Sequence, residues 1–483
     1  MGEFSSKIKN HMIIVFGATG SLMKKKLLPA FYSLYEKGLI TQTTPIVCVG
    51  RKKLTKNSFI DVVEPEKNIP GVNTMILSGF LQLINYVKAD FDTGDVGSLA
   101  SAIEKLDKKN NCRGNKIFYL ATPPYLFQAV SEKIHETGLI KGKGWKRIVY
   151  EKPMGADIKS SAELNKSITG VFDESNIYRV DQFIGMEKLQ NILSLRFANT
   201  FFRDTWQTKY IDNVQITVSD RHGFGQWSEF YDNYGEIRDG LYNKALQLLS
   251  LVAIAEPVSM NYFDIRKERE KVLKSIQVPQ PKDIVTGQYG SGKIDGKSVK
   301  AYRQENGIDD KSVTETFIAV KLSLNKGNLK DVPVYVRVGK RLDKDMERID
   351  IVYKSPVSNL LDSKNSNSNV LSIMIYPKKG ISLTINRNSE GDQLKAVPFC
   401  LENLYDEGSE FSSLHEEMLY EVMKGDQCAF SGGNEIQASW KLIDAIIEKS
   451  KRKKFKYPNY SAGSDGPKDA ALLLKNDKKN WIV

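Results

Sequence analysis

The sequence predicts an α/β protein in which a domain built on a parallel sheet is followed by an α+β domain with a large antiparallel sheet. Up to about residue 180, short apolar strands alternate with amphipathic helices, a pattern typical of βαβ units. Beyond that point, several strands follow one another with short loops between them, as in antiparallel sheets. We therefore expect two domains, residues 1–182 and residues 183–483.

The elements of the first domain alternate along the chain. Residues 12–16 form a buried strand, and residues 24–36 carry apolar side chains at helical spacing. The remaining predicted elements are strand 45–50, helix 98–106, strand 116–121, helix 126–135, strand 147–150 and helix 160–172.

The second domain begins with helices at 187–197 and 237–253, separated by a strand at 213–219. A series of strands follows, and two helices close the chain. The strands are 314–324, 332–338, 348–353, 370–376 and 381–386, and the helices are 411–423 and 435–449. Because the strands are consecutive, we expect sequence neighbours to pair in the sheet.

Composition excludes several classes of protein. The net charge is +12, but the basic residues are scattered and no basic motif is interleaved with aromatic residues, so we predict no nucleic-acid partner. No apolar run approaches the ~18 residues of a membrane span. Four widely spaced cysteines are typical of reduced thiols in the cytosol. We predict a cytoplasmic protein with no membrane association and no metal site.

A glycine turn follows the first strand. It reads Gly17-Ala18-Thr19-Gly20-Ser21, and a helix begins directly after it. Glycines let backbone N–H groups approach a pyrophosphate, and a helix N-terminus favours negative charge. Met23 replaces the third glycine of the usual dinucleotide fingerprint, so a tight structural turn is the alternative interpretation.

Arg51 follows the second strand, within Val49-Gly50-Arg51-Lys52-Lys53. Dinucleotide folds that bind NAD usually have an acid here for the ribose 2′-hydroxyl, whereas arginine suits a 2′-phosphate. A planar guanidinium can hold that phosphate through two hydrogen bonds. We therefore predict NADP as the cofactor, with a solvated basic turn as the alternative.

Longer segments resemble glucose-6-phosphate dehydrogenases. They are Glu151-Lys152-Pro153-Met154-Gly155, Tyr178-Arg179-Val180-Asp181-Gln182-Phe183-Ile184-Gly185, Leu195-Arg196-Phe197-Ala198-Asn199 and Tyr335-Val336-Arg337-Val338-Gly339-Lys340-Arg341-Leu342. The similarity runs from about Ile13 to Trp481. The resemblance implies a Rossmann-type domain and a β+α domain whose sheet forms a homodimer. It also implies oxidation of C1 of glucose 6-phosphate, or of a related hexose derivative, to a lactone, with hydride transfer to NADP.

The resemblance also assigns roles to individual residues. The cofactor-binding residues are Gly17, Ala18, Thr19, Gly20, Ser21, Arg51 and Lys152. The substrate-binding residues are Lys152, Gln182, Met186, Asp232, Asp239 and Lys340, of which Lys340 reaches the sugar phosphate. Asp181 is assigned to the catalytic site, and the bond before Pro153 is a candidate for the cis form.

This sequence differs from the family at the positions that carry the chemistry. The family has a histidine and a lysine that grip the phosphate where this chain has Gln182 and Met186. It has the general-base histidine where this chain has Lys244, a basic residue at Asp345 and an acid at Ser21. Losing two charge-assisted hydrogen bonds weakens binding by ~10²–10⁴. Losing a general base lowers the rate by a further ~10²–10⁴.

Two interpretations of function remain open at this point. In the first, the chain is a dehydrogenase with an altered site in which Lys244 replaces the histidine as base. A lysine must then lower its pKa from ~10.4 towards ~7, and His222 is another candidate for the base. In the second, the chain is a catalytically inactive member of the family with a structural or regulatory role.

The helix predicted over 237–253 carries three polar residues at i, i+4 and i+8. They are Asp239, Asn243 and Gln247, which should share one face of an α-helix. This face is either the rebuilt floor of the substrate site or a polar stripe that caps a buried helix.

Overall fold

The computed structural model describes residues 8–91, 94, 96–181, 183, 185–225, 228–355, 368–388, 396–404, 411–452 and 455–482, with the side chains of 186–189 outside this description. The chain divides into two compact units. The first comprises Met1–Glu187, Asn261–Arg266 and Ser409–Gln437, and the second comprises Lys188–Met260, Lys267–Gly408 and Ala438–Val483.

The strands are, in chain order, β1 (Met12–Phe16), β2 (Ile46–Gly50), β3 (Ile84–Lys88), β4 (Lys116–Leu120), β5 (Lys146–Tyr150), β6 (Ile177–Val180), β7 (Ile211–Asp220), β8 (Ile284–Gly287), β9 (Tyr289–Gly290), β10 (Gly292–Ile294), β11 (Lys297–Val299), β12 (Phe317–Leu322), β13 (Val334–Lys340), β14 (Met346–Tyr353), β15 (Val370–Tyr376), β16 (Gly380–Asn388), β17 (Ala396–Leu404), β18 (Phe430–Ser431) and β19 (Tyr460–Ser461).

The α-helices are Leu28–Glu36, Lys56–Val63, Pro65–Asn68, Thr74–Leu83, Gly97–Asn110, Phe127–Glu136, Ile158–Thr169, Met186–Phe197, Thr200–Thr205, Ser228–Asp232, Leu246–Ala253, Tyr262–Ser275, Leu414–Lys424, Gly433–Ser450 and Lys468–Lys475. Met23–Leu27 and Ile237–Ala245 are π-helical, and short 3₁₀ turns cover Pro124–Leu126, Glu174–Asn176, Pro281–Asp283 and Tyr302–Gln304.

The first unit contains a seven-stranded sheet with the order β3-β2-β1-β4-β5-β6-β18. Strands β1 to β6 are parallel, and β18 runs antiparallel to β6. β1, β2 and β4 are buried along their whole length, as expected of a parallel sheet covered on both faces. The strand order reverses between β1 and β4, and folds of this type bind ligands beyond the carboxyl ends of the strands at that point.

The second unit contains an eight-stranded sheet with the order β8-β12-β13-β7-β14-β15-β16-β17. Its neighbours are antiparallel except for β7 and β13, which are parallel. The predicted fold class, a parallel-sheet domain followed by an α+β domain with a large, mostly antiparallel sheet, is confirmed.

The pairing of two strands differs from the prediction. Strands 332–338 and 348–353 were expected to pair with each other, but they correspond to β13 and β14, which lie on opposite sides of β7. Val218 of β7 is opposite Val338 on one side and Glu347 on the other. The placement of β7 between β13 and β14 depends on contacts between distant parts of the chain. Strand pairing follows from which faces become buried, and proximity along the chain does not determine it.

The helix predicted over 237–253 also differs in its geometry. It begins as the π-helix Ile237–Ala245, in which the N–H of Leu246 donates to the carbonyl of Leu241, five residues earlier. Residues four apart do not stack in a π-helix, so Asp239 and Gln247 diverge. Asp239 is 35% exposed, whereas Gln247 is buried and accepts a hydrogen bond from Nη2 of Arg269 at 2.8 Å.

Two general features bear on the sequence predictions. All four cysteines are free thiols. None of the helices in the described part of the chain combines the length and the apolarity that a bilayer crossing requires.

Candidate functional site

The glycine turn links β1 to the helix that begins at Ser21. Gly17 has a φ of +82°, and a Cβ at this position would lie 2.5 Å from the carbonyl oxygen of Ala121, so the turn requires glycine. The N–H groups of Gly17 and Ala18 donate to the carbonyl of Val49 at 3.1 and 3.0 Å. The chain therefore turns sharply at the carboxyl end of β1, beside the start of a helix.

The remaining turn residues open towards solvent. Ala18 is buried and Thr19 is half-buried, whereas Gly20 and Ser21 are exposed. The first-turn N–H groups of a helix have no intrahelical acceptors, so they favour an anion at this end. The tight turn at Gly17 leaves Gly20 and Ser21 exposed at the start of the helix, where the pyrophosphate of a dinucleotide would fit.

Arg51 is exposed directly after β2. The turn around it is fixed by Tyr86, whose hydroxyl donates to the carbonyl of Lys52 at 2.6 Å. A Cβ at Gly50 would lie 2.9 Å from that hydroxyl. Gly50 thus leaves room for the Tyr86 hydroxyl that fixes the turn. Arg51 lies at the surface, at the same edge of the sheet as Gly17.

Lys152 and Asp181 form an ion pair at this edge of the parallel sheet. They follow β5 and β6, which are parallel neighbours, so their side chains meet where both strands end. Nζ of Lys152 lies 3.1 Å from Oδ1 of Asp181, which is fully buried. Asp181 also accepts hydrogen bonds from Ser431 Oγ at 3.0 Å and the N–H of Phe183 at 3.1 Å. These contacts hold the lysine in a fixed position.

The neighbouring residues complete this part of the site. The Lys152–Pro153 bond is cis, as the resemblance suggests. Gln182 and the side chain of Met186 lie outside the described residues, so their predicted roles stay predictions.

Lys340 lies at the corresponding edge of the second sheet. β7 and β13 are parallel and end together at Asp220 and Lys340. Nζ of Lys340 is 3.2 Å from Asp220 and 3.4 Å from Asp239. Burial alone would lower the pKa of Lys340, but the carboxylates of Glu236, Asp239 and Asp220 raise it above its usual range. A phosphate at this lysine would compete with carboxylates of the protein.

Glu236 is the most deeply buried acid of this cluster, with 1% of its surface exposed. The hydroxyl of Tyr231 donates to it at 2.5 Å. Burial, opposed by Lys340 and assisted by Asp239, raises the pKa of Glu236 to about 8. Glu236 therefore exchanges a proton close to neutral pH.

Lys244 lies on the π-helix, at the position that the resemblance assigns to the general base. Its Nζ is 4.0 Å from Oε1 of Glu347. Its charge also lowers the pKa values of Asp220 and Glu236, so all three carboxylates lie near it. The structure thus places an ammonium among acids at this position.

Asp232 anchors a loop. Its carboxylate accepts hydrogen bonds from the hydroxyls of Tyr302 at 2.9 Å and Ser312 at 2.5 Å, and its carbonyl accepts one from Thr314 at 2.6 Å. These contacts occupy Oδ1 and give the residue a structural role, while its predicted contact with a sugar stays a prediction.

His222 is exposed and lies beside two aspartates. Its Nδ1 is 3.3 Å from Oδ1 of Asp220 and 3.7 Å from Oδ1 of Asp345.

The structure thus brings Lys152 and Asp181 together in the first unit, and Asp239 and Lys340 in the second. The sequence analysis missed Ser431, Asp220, Glu236 and Glu347. Each is an ordinary polar residue in the sequence, and the contacts that involve it arise from sheet pairing or from segments far apart in the chain.

Comparisons with known proteins cover nearly the whole chain. Two family models match: the glucose-6-phosphate dehydrogenase NAD binding domain over residues 14–191, and the C-terminal domain of the same family over residues 193–482. The chain is 34% identical to glucose-6-phosphate 1-dehydrogenase of Chlamydia pneumoniae over 490 residues, which cover 97% of this chain and 95% of the relative. It is 34% identical to the Bacillus subtilis enzyme of the same name over 480 residues, with 97% and 98% covered.

A solved structure is similar over its full length. It is described as glucose-6-phosphate dehydrogenase in complex with its substrate glucose-6-phosphate, and it matches with a TM-score of 0.90 at 28% identity. The match covers 99% of each chain.

Proposed function

The chain belongs to the glucose-6-phosphate dehydrogenase family, and on this premise we propose that it is an NADP-dependent oxidoreductase that oxidises C1 of glucose 6-phosphate, or of a related hexose derivative, to a lactone. The observation that carries the proposal is the ion pair of half-buried Lys152 with buried Asp181 at the carboxyl edge of the parallel sheet. This is the edge at which such folds hold ligands, and the glycine turn lies along it.

The first unit supplies the cofactor site. The exposed end of the glycine turn, at Gly20 and Ser21, would lie at the pyrophosphate, and Arg51 would hold the 2′-phosphate of NADP through its planar guanidinium. A bound nicotinamide cofactor would supply the hydride acceptor for C1. Lys152 orients the reacting groups, because Asp181 fixes its ammonium. We retain residues 1–182 as the proposed cofactor-binding domain and residues 183–483 as the substrate and dimerisation domain.

The proposed substrate-binding residues are Lys152, Gln182, Met186, Asp232, Asp239 and Lys340. The base that takes the proton of the C1 hydroxyl is proposed to be either Asp181 or Lys244. Since Asp220 and Asp239 already neutralise Lys340, we expect weaker binding of a phosphate dianion than an uncompensated lysine would give.

A specific observation favours a second candidate function, that of a catalytically inactive family member. Lys244 stands at the general-base position and lies 4.0 Å from Glu347. The Nζ that a base would need is thus engaged with a carboxylate of the protein, as in a structural ion pair. In this candidate the chain keeps the fold and binds a nucleotide but has a structural or regulatory role.

Turnover separates the two candidates. The dehydrogenase proposal predicts growth of NADPH absorbance when the purified chain is mixed with NADP and glucose 6-phosphate. The inactive alternative predicts NADPH formation only after Gln182→His, Met186→Lys and Lys244→His are combined, with a gain of ~10² or more from the restored base. If no member of a panel of hexose phosphates is oxidised by the natural chain, the dehydrogenase proposal is wrong.

Cofactor choice is tested by binding, independently of turnover. Arg51→Ala should weaken NADP binding by about tenfold or more, because it removes a charge-assisted contact of ~1.5–3 kcal/mol. NAD binding should change little. Lys53→Ala is a matched control, since it removes a cation from the same exposed turn. Equal losses for both variants, or tighter binding of NAD than of NADP by the natural chain, would contradict the assignment.

The protein is further proposed to be a cytoplasmic homodimer. Four free thiols support a reducing compartment. The outer strand of the large sheet supports the dimer, because Phe399 and Leu401 of β17 are 41% and 48% exposed. They lie opposite Ile385 and Leu383 of β16, on one face of the sheet. An exposed apolar surface of this kind is typical of a protein–protein contact.

A further inference from the structure

Three metal-ligating side chains converge at the end of the large sheet. Asp220, His222 and Asp345 each offer one ligand atom, and these atoms all lie within 4.8 Å of one another. Imidazole nitrogen together with carboxylate oxygen is a ligand set that suits divalent first-row metals. The sequence analysis predicts no metal site, since two of these residues are separated from the third by more than a hundred positions.

Sheet pairing brings the three residues together. β7 and β14 are antiparallel, with Ser219 opposite Met346. Asp220 directly follows Ser219 and Asp345 directly precedes Met346, so this pair brings the two aspartates to the same end of the sheet. His222 follows two residues after Asp220. The cluster therefore lies at the ends of two central strands, β7 and β14, whose pairing fixes the backbone positions.

Backbone hydrogen bonds orient both carboxylates. Oδ1 of Asp345 accepts the N–H of Arg221 at 2.8 Å, and Oδ1 of Asp220 accepts the N–H of His222 at 2.7 Å. Each oxygen keeps a second lone pair for a cation. The carboxylates are thus positioned by the main chain before any ligand arrives.

The charges at this point favour a cation. Like charges directly opposite on neighbouring strands destabilise a sheet. The guanidinium of Arg221 is turned to Asp295, at 2.5 Å, and Lys344 lies 4.0 Å from Asp343. Lys340 contacts Oδ2 of Asp220 but is shared with Asp239 and Glu236. Lys244 also acts on Asp220 and Arg221 also acts on Asp345, so a metal ion at this point would compete with cations of the protein.

The distances match coordination. For metal–ligand bonds of about 2.1 Å in a tetrahedral arrangement, ligand atoms lie about 3.4 Å apart. His222 Nδ1 is 3.3 Å from Asp220 and 3.7 Å from Asp345. We propose that Asp220, His222 and Asp345 bind a divalent transition-metal ion, such as Zn²⁺, with a further coordination position open to water or a ligand oxygen. The imidazole nitrogen, which lies at ligand-to-ligand spacing from both carboxylates, distinguishes this site from a surface patch of acids.

The proposal is tested with Zn²⁺ and the chelator-treated full-length chain, whether or not the chain is active. Isothermal titration should show one ion bound per chain. His222→Ala should weaken the affinity by at least about tenfold, since even outer-shell partners of a metal are worth 10–100-fold. His135→Ala is the matched control, because it removes another exposed histidine and should leave the affinity unchanged.

A second variant makes the test independent of folding defects. Asp345→Asn keeps an oxygen for the N–H of Arg221 and removes the repulsion with Asp220. Without metal, its melting temperature should therefore equal or exceed that of the natural chain. With Zn²⁺ the order should reverse, because only the natural chain gains stability from the ion. The absence of a stoichiometric site, equal Zn²⁺ affinity in His222→Ala, or the same thermal shift in Asp345→Asn and the natural chain would overturn the proposal.

Discussion

Around Lys340, one buried ammonium is shared by several acids, and their protonation differs with depth. Burial would raise the pKa of Asp220, but Lys340 and the N–H of His222 lower it below its usual range. Glu236 is more deeply buried, and its pKa is raised to about 8. Asp220 is therefore ionised beside Lys340 near neutral pH, whereas Glu236 exchanges its proton close to that pH.

This difference predicts a pH effect on stability. Between about pH 4.5 and about pH 8, folded Glu236 binds a proton that the unfolded chain has lost, so the free energy of unfolding falls as pH rises through this window. Glu236→Gln keeps an acceptor for Tyr231 and removes the titration. We expect the free energy of unfolding of this variant, relative to the natural chain, to rise by up to a few kcal/mol from pH 5 to pH 8.

Chemical denaturation at several pH values measures this difference. Glu229→Gln is the control, because Glu229 is an exposed acid on the neighbouring helix Ser228–Asp232. A constant difference between Glu236→Gln and the natural chain across this range would show that Glu236 is ionised throughout.

At the scale of elements, the sequence predicts the strands and turns that local residue patterns determine. It does not predict the strand order, which pairing between distant segments determines. The strands at 12–16 and 116–121 and the glycine turn are predicted because apolar runs and Gly17 act locally. The position of β7 between β13 and β14 is not predicted, because both partner strands are more than a hundred residues away in the chain. The alignment of Asp239 with Gln247 fails for another reason: the helical periodicity assumed is that of an α-helix, and the segment is π-helical.

The same reasoning applies to the site. Lys152 and Asp181 are found from motifs, and their contact follows once β5 and β6 are known to be parallel neighbours. Asp220 and Glu347 are not found, since their roles depend on the register of β7 with β13 and β14. No local signal in the sequence encodes that register.

The glycine turn is an element whose geometry can be tested by one methyl group. Gly17→Ala would force a side chain into a φ of +82° and bring its Cβ within 2.5 Å of the Ala121 carbonyl. We expect a loss of stability of ~1–3 kcal/mol and weaker NADP binding. Gly97→Ala is the control, because a Cβ there meets nothing within 4 Å. Denaturation curves and titration with NADP measure both effects, and equal behaviour of the two variants would show that the turn is not constrained as described.

At the scale of the whole molecule, the large sheet ends in a strand that the described part of the chain leaves exposed. β17 pairs with β16 along one side, and its residues from Pro398 to Leu404 are exposed. Beside it, a groove of about 480 Å³ is lined by Tyr210, Tyr353, Leu383 and Ile385 among others. Proteins usually protect such edges, and association with a second copy is one means of protection.

The proposed homodimer is therefore tested at this strand. Leu401→Lys places a charge on the face shared with Leu383 and should shift the protein towards monomer. The dimer dissociation constant should rise by about tenfold or more. The reason is that the lost apolar contact and the desolvation of the new ammonium together cost more than about 1.4 kcal/mol. Glu402→Lys is the matched control, since neighbouring residues of a strand point to opposite faces. Sedimentation equilibrium over a range of concentrations measures both variants. If the two substitutions dissociate the protein equally, or if the natural chain is monomeric throughout, the apolar face of β17 is not the contact between copies.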